Sequence, residues 1–185
     1  MPKYTDVMVD LETTGVTPDE SAIIQIAAVR FNVITGEVDG DDMFDRALMI
    51  PPKRFWDEGT RDWWYKMPDI LMSIMNRMED PVVVTRDFFN WARPKDDDRT
   101  LLRFWSKPTH FDFMFLQSYS RQFQLNFPFD FRQAQDQNSF VRGLFFPNPP
   151  PELSLNFEGS AHNALFDVLH QIQTVQEYVK KATGT

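Results

Sequence analysis

"VMVDLETTG" (residues 7–15) sets Asp10 and Glu12 two apart inside an apolar run that reads as a buried strand. Val7, Val9 and Leu11 share one parity, and Asp6, Met8, Asp10 and Glu12 share the other. Residues i and i+2 of a strand face the same side, so the two carboxylates project together. Adjacent carboxylates repel. Unless a cation lies between them one must have its pKa raised, and a hard divalent ion resolves the conflict directly. The alternative is a strand with one wet face. The Thr13-Thr14-Gly15 turn weighs against it, because small hydroxyl residues and a glycine at the strand's C-terminal end offer N–H groups and close approach beside the carboxylates.

Working outward, "SAIIQIAAVRFNV" is a longer β-rich run, "ITGEVDGDD" supplies turn signals, and "MFDRALMI" is a third strand. Three successive antiparallel strands are expected. Prolines at 51, 52, 68 and 81 then punctuate helical patterns in "DEGTRDWWYKM", "DILMSIMNRM" and "VTRDFFNWAR". After the charged turn "PKDDDR", "TLLRFW" reads as a short strand and "THFDFMFLQSYSRQF" as an amphipathic helix with Thr109 as N-cap. A proline-rich loop, "FPNPPPELSLNFEGS", leads from Ser160 into a final helix, "AHNALFDVLHQIQTVQEYVKK". Strands followed by alternating strand and helix give an α/β class, and 185 residues without repeat or boundary fit one domain over residues 1–185.

Composition narrows the chemistry. There is no cysteine, so any metal must be held by oxygen or imidazole. A net charge of −8 argues against wrapping a long duplex but not against gripping a short end. No apolar stretch approaches the roughly 18–20 residues of a membrane span and "MPKYTD" lacks a signal-peptide layout, so a soluble, cytoplasmic protein is expected.

Two further signals accompany Asp10 and Glu12. Asp112 heads a helical stripe with Phe115, Leu116, Tyr119 and Phe123, although a first-turn aspartate often serves only the helix dipole. In "HNALFD", five residues separate His162 from Asp167. That spacing is about 140° out of phase on a helix, so His162 belongs at the loop boundary and Asp167 on the second turn, off the core stripe. His110 and His170 read as structural or solvent-facing. Trp63, Trp64 and Trp105 are candidates for stacking on bases, within a chain that has five tryptophans and 18 phenylalanines. Arg93, Lys95, Arg99, Arg103 and Lys107 could contact phosphates, but Asp96, Asp97 and Asp98 among them favour a solvated turn.

Taken together, "DLETTG", the "FD" of Asp112 and "HNALFD" resemble, in order and spacing, the DEDDh 3′–5′ exonucleases of the DnaQ-like, ribonuclease H-like superfamily. The match spans residue 6 to about 179, and "AIIQIAAVRF", "TGEV", "DWW" and "FWSKPTHFDFMFL" look most like small phage-type, DexA-like enzymes. The resemblance implies a mixed central sheet flanked by helices, antiparallel strands preceding parallel ones. It implies that Asp10, Glu12 and Asp167 hold one Mg²⁺ or Mn²⁺, and that Asp10 bridges to a second ion supported by Asp112. Two such ions activate the attacking water and neutralise the leaving 3′ oxygen. His162 would be general base, since neutral imidazole accepts a proton near pH 7. Leu11, Thr13 and Thr14 would position the terminal nucleotide. One departure is that members often carry an asparagine ahead of the third acid, where this chain has Pro108 and Thr109; a substrate contact is affected, not metal binding. The expected substrate is a single-stranded or fraying 3′ end, DNA before RNA, in a host cytoplasm if the chain is phage-encoded. An exoribonuclease or oligoribonuclease with the same chemistry, and a non-catalytic nucleic-acid-binding module, are the alternatives.

Overall fold

The computed structural model describes residues 3–93 and 102–184. Its centre is a six-stranded mixed sheet in the order β4-β3-β2-β1-β5-β6. Strand β1 (Asp6–Thr13) pairs antiparallel with β2 (Ile23–Phe31), which pairs antiparallel with β3 (Phe44–Leu48). On the other side β1 runs parallel to β5 (Arg103–Ser106), and β5 parallel to β6 (Ala134–Asp136). The two-residue β4 (Met78–Glu79) joins β3 in parallel. The mixed sheet expected from the sequence is present. The short edge strands β4 and β6 carried no periodic signal.

Helices α1 (Glu58–Trp64), α2 (Pro68–Met75) and α3 (Pro81–Trp91) follow β3, interrupted by β4. The later helices are α4 (Thr109–Phe123), α5 (Gln137–Phe145) and α6 (Ala164–Thr183). On one face of β1, Val7, Val9 and Leu11 pack with Val84, Phe88, Phe115, Leu116 and Tyr119 of α3 and α4. On the other, Met8 packs with Trp105 and with Val168, Ile172 and Val175 of α6. A third cluster seats Trp64, Leu71 and Ile74 of α1 and α2 on Ile24 and Ala47.

With helices on both sides, the acidic parity of β1 is no wet face. Asp6 is fully buried, and its carboxylate accepts from Thr5, Val33, Arg103 and Trp105. Asp10 alone among the β1 residues is only partly buried.

Several boundaries differ from the sequence reading. Thr109 is the first residue of α4 rather than its cap, which is Pro108; its N–H instead donates to Asp136 Oδ2 at 3.1 Å. Helix α6 starts at Ala164 with Asn163 as N-cap, whose Oδ1 accepts from Leu165 N. Asp167 therefore lies in the first turn rather than the second. Helix α3 starts earlier than its apolar pattern, at Pro81, because Asp80 accepts from the N–H groups of Val82 and Val83. The turn carrying Lys95, Asp96, Asp97, Asp98 and Arg99 lies outside the described residues. No described helix is long and apolar enough to cross a membrane.

Candidate active site

The C-terminal half of β1 outruns its partner β5, since the parallel ladder ends with Met8 opposite Trp105. The edge of β1 beyond that point meets α4 instead. Leu11 N–H donates to Asp112 Oδ1 at 3.1 Å, so a buried carboxylate takes the place of a strand partner. Asp10 and Glu12, flanking Leu11 in sequence, point to the opposite face, where α6 brings Asp167. Ligand oxygens of Asp10, Glu12 and Asp167 lie within 4.8 Å of one another, a group that could hold a metal ion.

Two loops are fixed around these acids. At the end of β1, Thr14 is buried with its hydroxyl saturated: it donates to Phe55 O and accepts from Ala22 N, both at 2.7 Å. The Thr13 hydroxyl donates to Gly15 O, and its carbonyl accepts from the Trp64 indole at 3.0 Å. Gly15 is required by close approach, because a Cβ there would stand 2.4 Å from Ser21 Oγ. In the second loop Gly159, at φ +96°, passes directly over the Phe166 ring, 2.4 Å from where its Cβ would be. This leads into His162, itself left-handed at φ +64°, whose backbone N–H donates to Asp167 Oδ2 at 2.9 Å. The His162 side chain is exposed and meets the Trp63 ring edge to face, with centroids 4.8 Å apart.

The electrostatics follow from so many acids in so little water. Burial, then the Asp167 charge, pushes Asp10 up to about 7, against the pull of the Gln171 hydrogen bond and of Lys107. Burial raises Glu12 well above the carboxylate range, with Asp10, Asp167 and Asp112 adding to it. Asp112 is raised by burial and by Asp10, and Asp167 by burial. All four carboxyls are driven toward their neutral forms, so the positive charge the cluster feels, from Lys107 among others, does not offset its burial and crowding. Divalent cations fit that deficit, and oxygen donors are what hard cations take.

The structure brings Asp10, Glu12 and Asp167 together, sets Asp112 against the Leu11 amide beside Asp10, and places His162 at Asp167. It does not offer Trp64 or Trp105 to a base. Trp64 is fully buried. Trp105 is 1% exposed, donates to Asp6 at 2.7 Å and is wedged between Phe31 and Phe140. Both serve the core, where a large aromatic with one internally satisfied N–H is at home. The Leu11 side chain is also buried, and the Thr14 hydroxyl is committed internally, so neither side chain is free for a nucleotide. Arg103 likewise belongs to Asp6, at 2.7 Å, rather than to a phosphate. Trp63 is 38% exposed and remains open beside His162.

Two residues here escaped the sequence reading. Gln25, opposite Glu12 in the β1–β2 ladder, accepts the Ala164 N–H and so pins the start of α6 to the sheet. Gln171 of α6 donates to Asp10 Oδ1 at 2.8 Å. The signal available was an amide interrupting an apolar pattern, "IIQIAAV" in one case and "VLHQI" in the other.

The sequence matches the model of the 3′-5′ exoribonuclease Rv2179c-like domain over residues 5–179. The chain belongs to this family. Among solved structures, cell-death related nuclease 4 (CRN-4) superposes with TM-score 0.69 at 17% identity, over 97% of this chain and 65% of that one. The nuclease domain of 3′hExo, a DEDDh family member bound to rAMP, gives 0.68 at 15%, over 96% and 93%. Pop2p of S. pombe, in an Mg²⁺- and Mn²⁺-bound form, gives 0.69 at 13%, over 96% and 84%. At these identities the likeness is one of fold, the ribonuclease H-like sheet of DEDDh nucleases. This chain thus spans slightly under two thirds of CRN-4 and nearly all of the 3′hExo domain. No curated protein matches the sequence.

Proposed function

We propose that the chain is a single 3′–5′ exonuclease domain that releases 5′-mononucleotides from single-stranded 3′ ends by divalent-cation-dependent hydrolysis. The observation that carries this reading is the convergence of Asp10, Glu12 and Asp167 oxygens within 4.8 Å, in a family described as 3′-5′ exoribonucleases. Asp10, Glu12 and Asp167 would hold one cation, and Asp112 with Asp10 a second. Bound there, the cations would supply Lewis-acid activation of water and charge neutralisation at the leaving oxygen.

The chain's own groups do the rest. His162, exposed and held by its backbone to Asp167, is positioned to take the proton from the attacking water. Trp63 limits the swing of that imidazole and presents its open face to the terminal base. Lys107 is exposed at the C-terminal end of β5, where its charge acts on both Asp10 and Asp167, a place suited to a substrate phosphate. Thr13 and Thr14 act through the backbone turn they brace, not through free hydroxyls.

RNA is favoured here over the DNA expected from the sequence alone. The family description supports it, as does the rAMP in the 3′hExo domain. Matched 5′-labelled RNA and DNA oligomers, digested with Mg²⁺, Mn²⁺ or EDTA, test the reading. RNA should shorten one nucleotide at a time, EDTA should stop it, and a 3′-phosphorylated or circular strand should resist. Faster loss of the DNA oligomer reverses the substrate assignment, and cutting of the circle removes the exonuclease reading altogether.

A further inference from the structure

The face that α6 buries carries Ala164, Val168, Ile172 and Val175, and one polar residue among them, Gln171. It lies one turn beyond Asp167 and is 7% exposed. Its Nε2 donates to Asp10 Oδ1 at 2.8 Å, while its Oε1 is buried without a hydrogen-bond partner. A side-chain amide has two donors and an acceptor to satisfy, and a buried acceptor left unpaired is unfavourable. If packing were all this position did, Leu or Met would complete the apolar stripe with nothing left unpaired. The half-satisfied amide is instead found where it touches the acid central to the cluster.

We propose that Gln171 is a positioning residue for the cation site. Its N–H ties Asp10 Oδ1 and fixes the carboxyl beside Glu12 and Asp167 before any ion arrives. In the metal-free protein Asp167 repels Asp10 while Lys107 draws it the other way, so both charges favour rotation of an untethered carboxyl out of the cluster. The amide is a neutral donor that opposes this rotation without adding a competing positive charge. Partners that orient a ligand in this way typically contribute about 10–100-fold in metal affinity or activity. The inference rests on the reading of the acidic cluster as a cation site.

The test is calorimetric titration of Mn²⁺ without nucleic acid into wild type, Gln171→Leu, Gln171→Met and Asp10→Asn, with melting of each in EDTA. The Leu and Met variants should bind Mn²⁺ about 10–100-fold more weakly while melting in EDTA no lower than wild type. Wild-type Mn²⁺ affinity in whichever of them folds overturns the inference, and a lowered EDTA melting point with unchanged affinity assigns Gln171 to packing alone. The underlying site is tested separately. Wild-type binding that Asp10→Asn weakens upholds the cation site whatever Gln171 does; no binding by wild type overturns both.

Discussion

At Asp10 burial and the Asp167 charge both act against the ionised form, and that bears on how the metal-free protein responds to pH. Its carboxyl titrates near 7 in the fold instead of the ordinary 3.8. Between those values the folded state holds a proton that the unfolded state has lost, so stability falls as pH rises through that window. Glu12 and Asp112 are shifted in the same direction. In EDTA, the stability these groups contribute should therefore be full at or below about pH 4 and be lost progressively as pH rises toward 8. Divalent cations should remove most of that decline. A melting point in EDTA that climbs steadily from pH 5 to 8 would contradict the raised carboxyls. His162 behaves differently, because it is the backbone N–H and not the ring that touches Asp167. Alanine keeps that contact, so His162→Ala should bind Mn²⁺ as wild type does while turnover at neutral pH drops by roughly 10² to 10⁴. Loss of metal binding in that variant would make His162 a ligand rather than a base.

Among the elements, α1 shows how a core residue can govern a site it never enters. Trp64 fills the cluster between α1, α2 and the β2–β3 ladder, and its indole holds the Thr13 carbonyl at the end of β1. Trp64→Ala should destabilise by about 3–5 kcal/mol through the cavity it leaves. Trp64→Phe retains most of the volume and loses the hydrogen bond, for roughly 1–3 kcal/mol. Urea midpoints with unchanged slope measure both, and an Ala variant within 1 kcal/mol of wild type would remove the anchoring role. The same residue marks a limit of sequence reading. Side by side in "DWW", Trp63 and Trp64 have identical propensities, and only the packing of α1 decides that one is buried and the other open. Strands β1, β2 and β3 and helices α4 and α6 were legible because each carries a full period of apolar residues. Strand β6 and helix α5 were not, because β6 has three residues and α5 buries only Gln137 and Val141, too few to show an apolar period behind its local cap Asp136. The four acids and His162 were legible for another reason: the resemblance rests on residue types at fixed spacing. Gln171 has no such signature, since its meaning comes from a contact with a strand 161 residues away.

For the molecule as a whole, a charge of −8 sets how a polyanion is held. Much of the arginine complement is committed within the fold. Arg30 is paired with Asp39 and Asp42, Arg46 with Glu79 and Asp87, Arg77 with Asp45, Arg103 with Asp6 and Arg121 with Asp19. Arg54 is buried, donating to Pro18, Ser21, Ser118 and Gln122. As placed, these six arginines offer little free positive charge for a basic track along a strand. On the proposed function, the grip on nucleic acid would be short, centred on the cations, Lys107 and the open face of Trp63. Single-stranded binding loses affinity with salt at a slope of about −0.7 per phosphate neutralised. Two or three such contacts give a slope near −2 or shallower. Anisotropy of a labelled RNA oligomer with His162→Ala in Mg²⁺, across a range of potassium chloride concentrations, measures it without turnover. Affinity should also stop rising once the oligomer exceeds a few nucleotides. A slope steeper than about −4, or affinity that keeps increasing with length, would require an extended cationic path that the paired arginines do not provide.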